Sequence, residues 1–152
     1  MQTRREVLGH SAKVVGLMAA AGLLPAAAQA AWNEAAFKGK TLAEVVAAMG
    51  GSAPAESKDV TITGPDIAEN GAVVPVGASS TLPGVKRLML LVEKNPSALA
   101  ASFDITDKVE ASVSTRVKMG QSSNVYAVAM LADGKVAYAV KEIKVTLGGC
   151  GG

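Results

Sequence analysis

An antiparallel β-sandwich is the fold class this sequence predicts, on three observations. From Lys58 onward apolar residues recur at every second position, the runs are short, and Gly, Pro, Asn and Asp punctuate them. A short helical segment precedes the sandwich and a glycine-rich tail follows it. Aromatic residues make up only 3% of the 152 residues and there is a single cysteine, so Ala, Val and Leu must fill a core that has no internal disulfide.

The first thirty residues read as an export signal. Thr3-Arg4-Arg5-Glu6-Val7-Leu8 sets two adjacent arginines before the apolar stretch 14–24, and Ala28-Gln29-Ala30 supplies a small-x-small cleavage pattern. The apolar stretch is well short of the ~20 residues that cross a bilayer, and Pro25 follows it at once. The paired arginines indicate the twin-arginine route, so the expected address is the periplasm. Cleavage after Ala30 takes Arg4, Arg5 and Lys13 from 15 basic residues and Glu6 from 13 acidic ones, leaving 12 of each. A neutral mature chain gives no charge argument for binding nucleic acid or an anionic membrane. His10, the only histidine, leaves with the signal, which removes Ser-His-Asp and Cys-His catalysis and most routes to a bound metal or haem.

The mature chain of about 120 residues suits one domain, residues 31–147, followed by an arm, residues 148–152. Residues 32–49 read as helical. Thr41 and Glu44 match a capping box, Leu42, Val45, Val46 and Met49 share one helical face, and Gly50-Gly51 stops the helix, which is expected to pack on a sheet edge. A first strand contains Val60 and Ile62, and Glu69-Asn70-Gly71 turns into a second at residues 72–76. Pro75 puts that strand at an edge or a bulge.

A third run, 85–93, contains Leu88-Met89-Leu90-Leu91-Val92, an unbroken apolar stretch that needs cover on both faces. The core supplies one face, and the helix or a second protein supplies the other. A fourth strand occupies 99–105. A fifth alternates Val109, Ala111, Val113, Thr115, Val117 and Met119 with polar residues. Runs 125–131 and 135–147 flank Asp133-Gly134, a tight-hairpin signal, and a change of apolar parity after Val140 predicts a bulge near Lys141 and Glu142. Seven such strands make the sandwich immunoglobulin-like.

The chain ends Leu147-Gly148-Gly149-Cys150-Gly151-Gly152. Gly148 and Gly149 on one side of the thiol and Gly151 and Gly152 on the other give a slender, flexible arm. Three extended residues beyond Leu147 carry the sulfur about 10 Å outward. An unpaired thiol in an oxidising compartment is a hazard unless it has a use, and no other cysteine exists to pair with it. Against this stands the plainer alternative of an exported β-sandwich binding module with an incidental thiol tail. A one-cysteine thiol enzyme is disfavoured, because a nucleophile on a floppy tether is poorly organised for catalysis. Asp104, Asp107 and Glu110 lie close enough in sequence for a cation, though a turn explains them equally. Asp66, Glu69, Arg116 and Lys118 are candidates for guiding anions or partners, or are solvated charges on a strand face.

Several stretches together resemble the SoxY family, the sulfur-compound carrier subunits of the bacterial thiosulfate-oxidising multienzyme system. They are the export signal, Pro65-Asp66-Ile67-Ala68-Glu69-Asn70-Gly71-Ala72-Val73-Val74-Pro75-Val76, Glu93-Lys94-Asn95-Pro96, Ser114-Thr115-Arg116-Val117-Lys118, and the closing Gly148-Gly149-Cys150-Gly151-Gly152. The resemblance implies a non-catalytic carrier without cofactor or metal, attaching its substrate at Cys150. It also implies a heterodimer with a SoxZ-like sandwich subunit. Three partners would act in turn: a c-type cytochrome that couples thiosulfate to the thiol, a manganese-dependent hydrolase that releases sulfate, and a sulfane dehydrogenase that oxidises the sulfur left behind.

Overall fold

The computed structural model describes residues 33–147 and, before them, Gly9, His10, Lys13 and Leu17. The chain divides into two compact units, Met1–Trp32 and Asn33–Gly152, and the four described residues of the first are helical. Apart from those four, the expected signal segment lies outside the described residues, as does the whole expected arm: Gly148, Gly149, Cys150, Gly151 and Gly152. Among the described residues no helix is long and apolar enough to cross a membrane.

The helical stretch is two helices, α1 (Glu34–Lys38) and α2 (Leu42–Ala48). Asn33 caps α1 by accepting from the Ala36 amide at 3.0 Å, and the Thr41 hydroxyl caps α2 by accepting from the Glu44 amide at 3.2 Å. The Glu44 carboxylate accepts from the Lys40 amide at 2.8 Å, one residue earlier than the reciprocal bond of a capping box. Gly50, at φ 80°, closes α2: the Gly51 amide bonds Val46 O and the Gly50 amide bonds Ala47 O, both at 3.0 Å, the paired pattern of a Schellman ending.

Nine strands follow among the described residues, two more than the alternation predicts. They are β1 (Ala55–Glu56), β2 (Val60–Thr63), β3 (Ile67–Asn70), β4 (Val74–Ser80), β5 (Val85–Val92), β6 (Leu99–Asp104), β7 (Ser112–Val117), β8 (Ser123–Leu131) and β9 (Val136–Leu147). One sheet has the order β1-β9-β8-β5-β6, with β3 also on β9; the other has the order β2-β4-β7. The long pairings are antiparallel, while the short strands β1 and β3 add to β9 in parallel. The sheets do not close on each other, and the mostly β sandwich is the fold expected.

The apolar run of β5 finds both its covers inside the chain. Leu88, Leu90 and Val92 face the other sheet and pack with Val74, Val76 and Ile143. Met89 and Leu91 face outward and are buried beneath α1 and α2, against Ala36, Val45 and Val46. The helices therefore lie on a sheet face rather than an edge. A partner subunit is not needed to cover this run.

Two local expectations are corrected. No bulge interrupts β9 against β8, because the register runs unbroken from Ser123↔Ile143 to Met130↔Val136. The change of apolar parity is instead a change of surroundings. Val136 and Tyr138 lie in the outer layer near the helices, whereas farther along only the inward residues Ile143 and Val145 pack in the core. The second strand begins at Val74, and residues 67–70 form a strand of their own. Pro75 is accommodated because β2 reaches only as far as Gly77, leaving β7 as the one neighbour at that level. The tight hairpin expected at Asp133-Gly134 is present, with the Gly134 amide on Leu131 O at 3.0 Å, the Leu131 amide on Lys135 O at 2.9 Å and Gly134 at φ 84°.

Candidate functional site at the root of the C-terminal segment

The last described residue, Leu147, is 70% exposed, yet its backbone is tied down. Strand β3 runs beside the end of β9 from Ile67↔Lys144 to Asn70↔Leu147. The Lys144 amide donates to Asp66 O at 3.0 Å, the Thr146 hydroxyl to Glu69 O at 3.0 Å, and the Gly71 amide to Leu147 O at 2.7 Å. From the other side the Val145 amide donates to the Ser122 hydroxyl at 2.9 Å. The Asn70 side chain fixes the turn after β3 by accepting from the Ala72 amide at 2.9 Å. A four-residue strand with a single buried side chain, Ala68, is thus held mainly by its backbone.

Two further stretches meet at the same place. Gly71 O accepts from the Met119 amide at 2.7 Å, which joins the end of β7 to the β3 turn. Asn95 then joins the β5–β6 connection to β7, donating to Lys118 O at 2.7 Å and accepting from the Gly120 amide at 3.3 Å. Ser123, 2% exposed, accepts from the Lys94 amide at 3.0 Å. The segments around Asn70-Gly71, Asn95-Pro96 and Arg116-Val117-Lys118, far apart in sequence, therefore converge near Leu147.

Charge at this end is arranged asymmetrically. Lys141 occupies an inward position of β9, and its ammonium reaches out past the core edge to Gly64 O at 2.7 Å and Asp66 Oδ1 at 2.8 Å. That hydrogen bond and the attraction of the same ammonium hold the Asp66 carboxyl below its ordinary value of 3.8. Glu69 is exposed and, among the described residues, engaged through its backbone only. Arg116 on β7 and Lys118 just after it are exposed, and neither side chain has a hydrogen bond or ion pair among the described residues.

Asp104 and Asp107, the carboxylates considered for a cation, are drawn to separate partners. Asp104 accepts from Arg87 at 2.6 Å and Asp107 from Lys86 at 2.7 Å. Among the described residues no group of three His, Cys, Asp or Glu gathers to hold a metal. Reasoning from sequence missed the tethers Asn95 and Ser122 and the anchor Lys141. Only Lys141 left a signal, as a cation where the alternation of β9 calls for an apolar residue.

A family model described as the sulfur oxidation protein SoxY matches residues 45–150, from within α2 through Cys150. The chain belongs to the SoxY family. It is 37% identical to the sulfur carrier protein SoxY from Chlorobium limicola f thiosulfatophilum over 68% of this chain and 94% of that one, with a TM-score of 0.62. A superoxide reductase (neelaredoxin) from Ignicoccus hospitalis shares the fold alone. Its identity is 20% over 57% of this chain and 79% of that one, with a TM-score of 0.51. No match was found among the curated proteins. For a SoxY-family chain the convergence just described acquires a meaning: the backbone is fixed up to Leu147, three residues before the cysteine with which the match ends.

Proposed function

We propose that this protein is a sulfur carrier of the bacterial thiosulfate-oxidising system, holding its cargo on Cys150 and catalysing no step itself. The observation that carries the reading is the SoxY match running through Cys150, on a chain whose last strand is pinned at Leu147. A pinned root and a slender tip let a tethered group explore a small volume at high effective concentration. Each receiving enzyme is then spared from capturing a small hydrated anion on its own. Attachment oxidises the thiol: Cys150 loses its proton, a bond forms between its sulfur and the terminal sulfur of thiosulfate, and two electrons pass to a c-type cytochrome. A manganese-dependent hydrolase then releases sulfate, and a sulfane dehydrogenase oxidises the remaining sulfur.

In this reading the protein works in the periplasm after twin-arginine export and removal of residues 1–30, paired with a SoxZ-like subunit. Gly148, Gly149, Gly151 and Gly152 keep the arm narrow enough to enter enzyme channels. The test is turnover of thiosulfate by the reconstituted system. Cys150→Ser is expected to abolish it, and Gly149→Val or Gly151→Val to slow it without loss of stability. Full activity of Cys150→Ser would leave an exported binding module with an incidental tail.

A further inference from the structure

Between the edge strands β6 and β7, beside the root of the arm, lies a groove of about 380 Å³. Its walls carry Arg116 and Lys118 together with the polar groups of Asn95, Ser97 and Thr115, and no carboxylate. Two other grooves on the sandwich each include an acidic residue, Glu110 in one and Glu56 in the other. Arg116 on β7 and Lys118 just past its end are both exposed, on either side of the buried Val117, and neither is neutralised by a partner among the described residues. The wall is held in place by the Asn95 side chain, bonded to Lys118 O and to the Gly120 amide.

The groove is also near Leu147, the last described residue. Leu147 O and Met119 N are separated by two hydrogen bonds of 2.7 Å and the backbone of Gly71 between them, a span of at most roughly 10 Å. Lys118 is the next residue and Arg116 two further, at about 3.3 Å per residue. The path from Leu147 is therefore at most roughly 13 Å to Lys118 and roughly 20 Å to Arg116, against a reach of about 10 Å for three extended residues plus the length of the two cationic side chains.

We infer that this groove binds the sulfonate-type end of a sulfur oxyanion, with Arg116 and Lys118 as the ligating cations. The inference rests on the carrier reading, and it adds a second, non-covalent contact for the cargo. An SO₃ group needs several hydrogen-bond donors converging with positive charge, which a planar guanidinium and an ammonium supply together. The same chemistry is offered by free sulfate or thiosulfate and by an adduct on Cys150.

The test separates those two sources. Sodium sulfate and sodium thiosulfate are titrated into the Cys150→Ser protein while amide and side-chain resonances are followed, with sodium chloride as control. Saturable shifts at Asn95 and residues 115–118 are expected, absent with chloride. Arg116→Gln and Lys118→Gln are each expected to weaken binding roughly three- to tenfold, with resonances of the Leu88 to Val92 core unchanged. In a second arm the wild-type protein carrying a sulfonate-ended adduct on Cys150 is examined without added anion. The same shifts there identify the tethered cargo as occupant, whereas their absence beside a positive titration assigns the groove to the free anion. No shift in either arm, or equal shifts with chloride, overturns the inference. Because the titration uses Cys150→Ser, its outcome is independent of whether Cys150 accepts sulfur.

Discussion

The amide of Gly71 donates to Leu147 O at 2.7 Å, and the carbonyl of the same glycine accepts from the Met119 amide at 2.7 Å. One residue thereby links the β3 turn, the end of β7 and the last described residue of β9. Its position depends on the Asn70 side chain, which accepts from the Ala72 amide at 2.9 Å. Asn70→Ala should remove about 0.5–1.5 kcal/mol of local stability and speed hydrogen exchange at Gly71 and Met119, leaving amides of β5 protected as before. Unchanged exchange at both amides would show that the turn does not hold the root.

Met89 and Leu90 are both completely buried, one under the helices and one between the sheets. Met89→Ala and Leu90→Ala should each cost about 2–5 kcal/mol in the isolated chain, read from denaturant unfolding. A cost well under that for Met89→Ala would mean that the outer face is loosely packed and waits for another subunit.

The Asp66–Lys141 pair gives the root a pH dependence. Because the Asp66 carboxyl titrates below its ordinary 3.8 in the folded protein, its ionised form favours folding. The contribution is present above about pH 4 and disappears as pH falls through the lowered value. Lys141→Met should return Asp66 to ordinary titration, measured from the pH dependence of its side-chain carbon resonance. A midpoint that stays low in Lys141→Met would assign the effect to another group.

At Gly77, in the middle of the β2-β4-β7 sheet, a Cβ would lie 2.5 Å from Thr63 Oγ1 and 3.0 Å from Val113 O. The second neighbour is backbone and cannot swing away. Gly77→Ala should destabilise the fold by about 1–3 kcal/mol, seen as a lowered Tm. Wild-type stability in this variant would require the two strands to be farther apart than described.

Much of the sandwich was legible because its strands announce themselves locally. β7 alternates wet and dry residues, and β5 is apolar throughout because it lies between the second sheet and the helices. β3 was not legible. Only Ala68 in it is buried, and its partner Leu147 is 77 residues beyond Asn70, so neither side-chain pattern nor short-range turn chemistry reveals it. The bulge expected in β9 failed for a related reason: parity reports which face is covered, and cover here changes along the strand when the helices end. In the tail the glycines flanking Cys150 made it the candidate attachment point, and those residues lie outside the described structure. The groove near Leu147 was not legible, since Asn95, Arg116 and Lys118 become neighbours only when β5–β6 and β7 are brought together.

The central claim is that Cys150 is the atom on which sulfur is carried, and the most direct measurement is the intact mass of the mature protein followed by that of its C-terminal peptide. After exposure to thiosulfate and an oxidising c-type cytochrome, the account predicts an increment matching thiosulfate on the peptide containing Cys150, removed by dithiothreitol. A thiol that stays unmodified under those conditions, or an increment found on any other peptide, would contradict it.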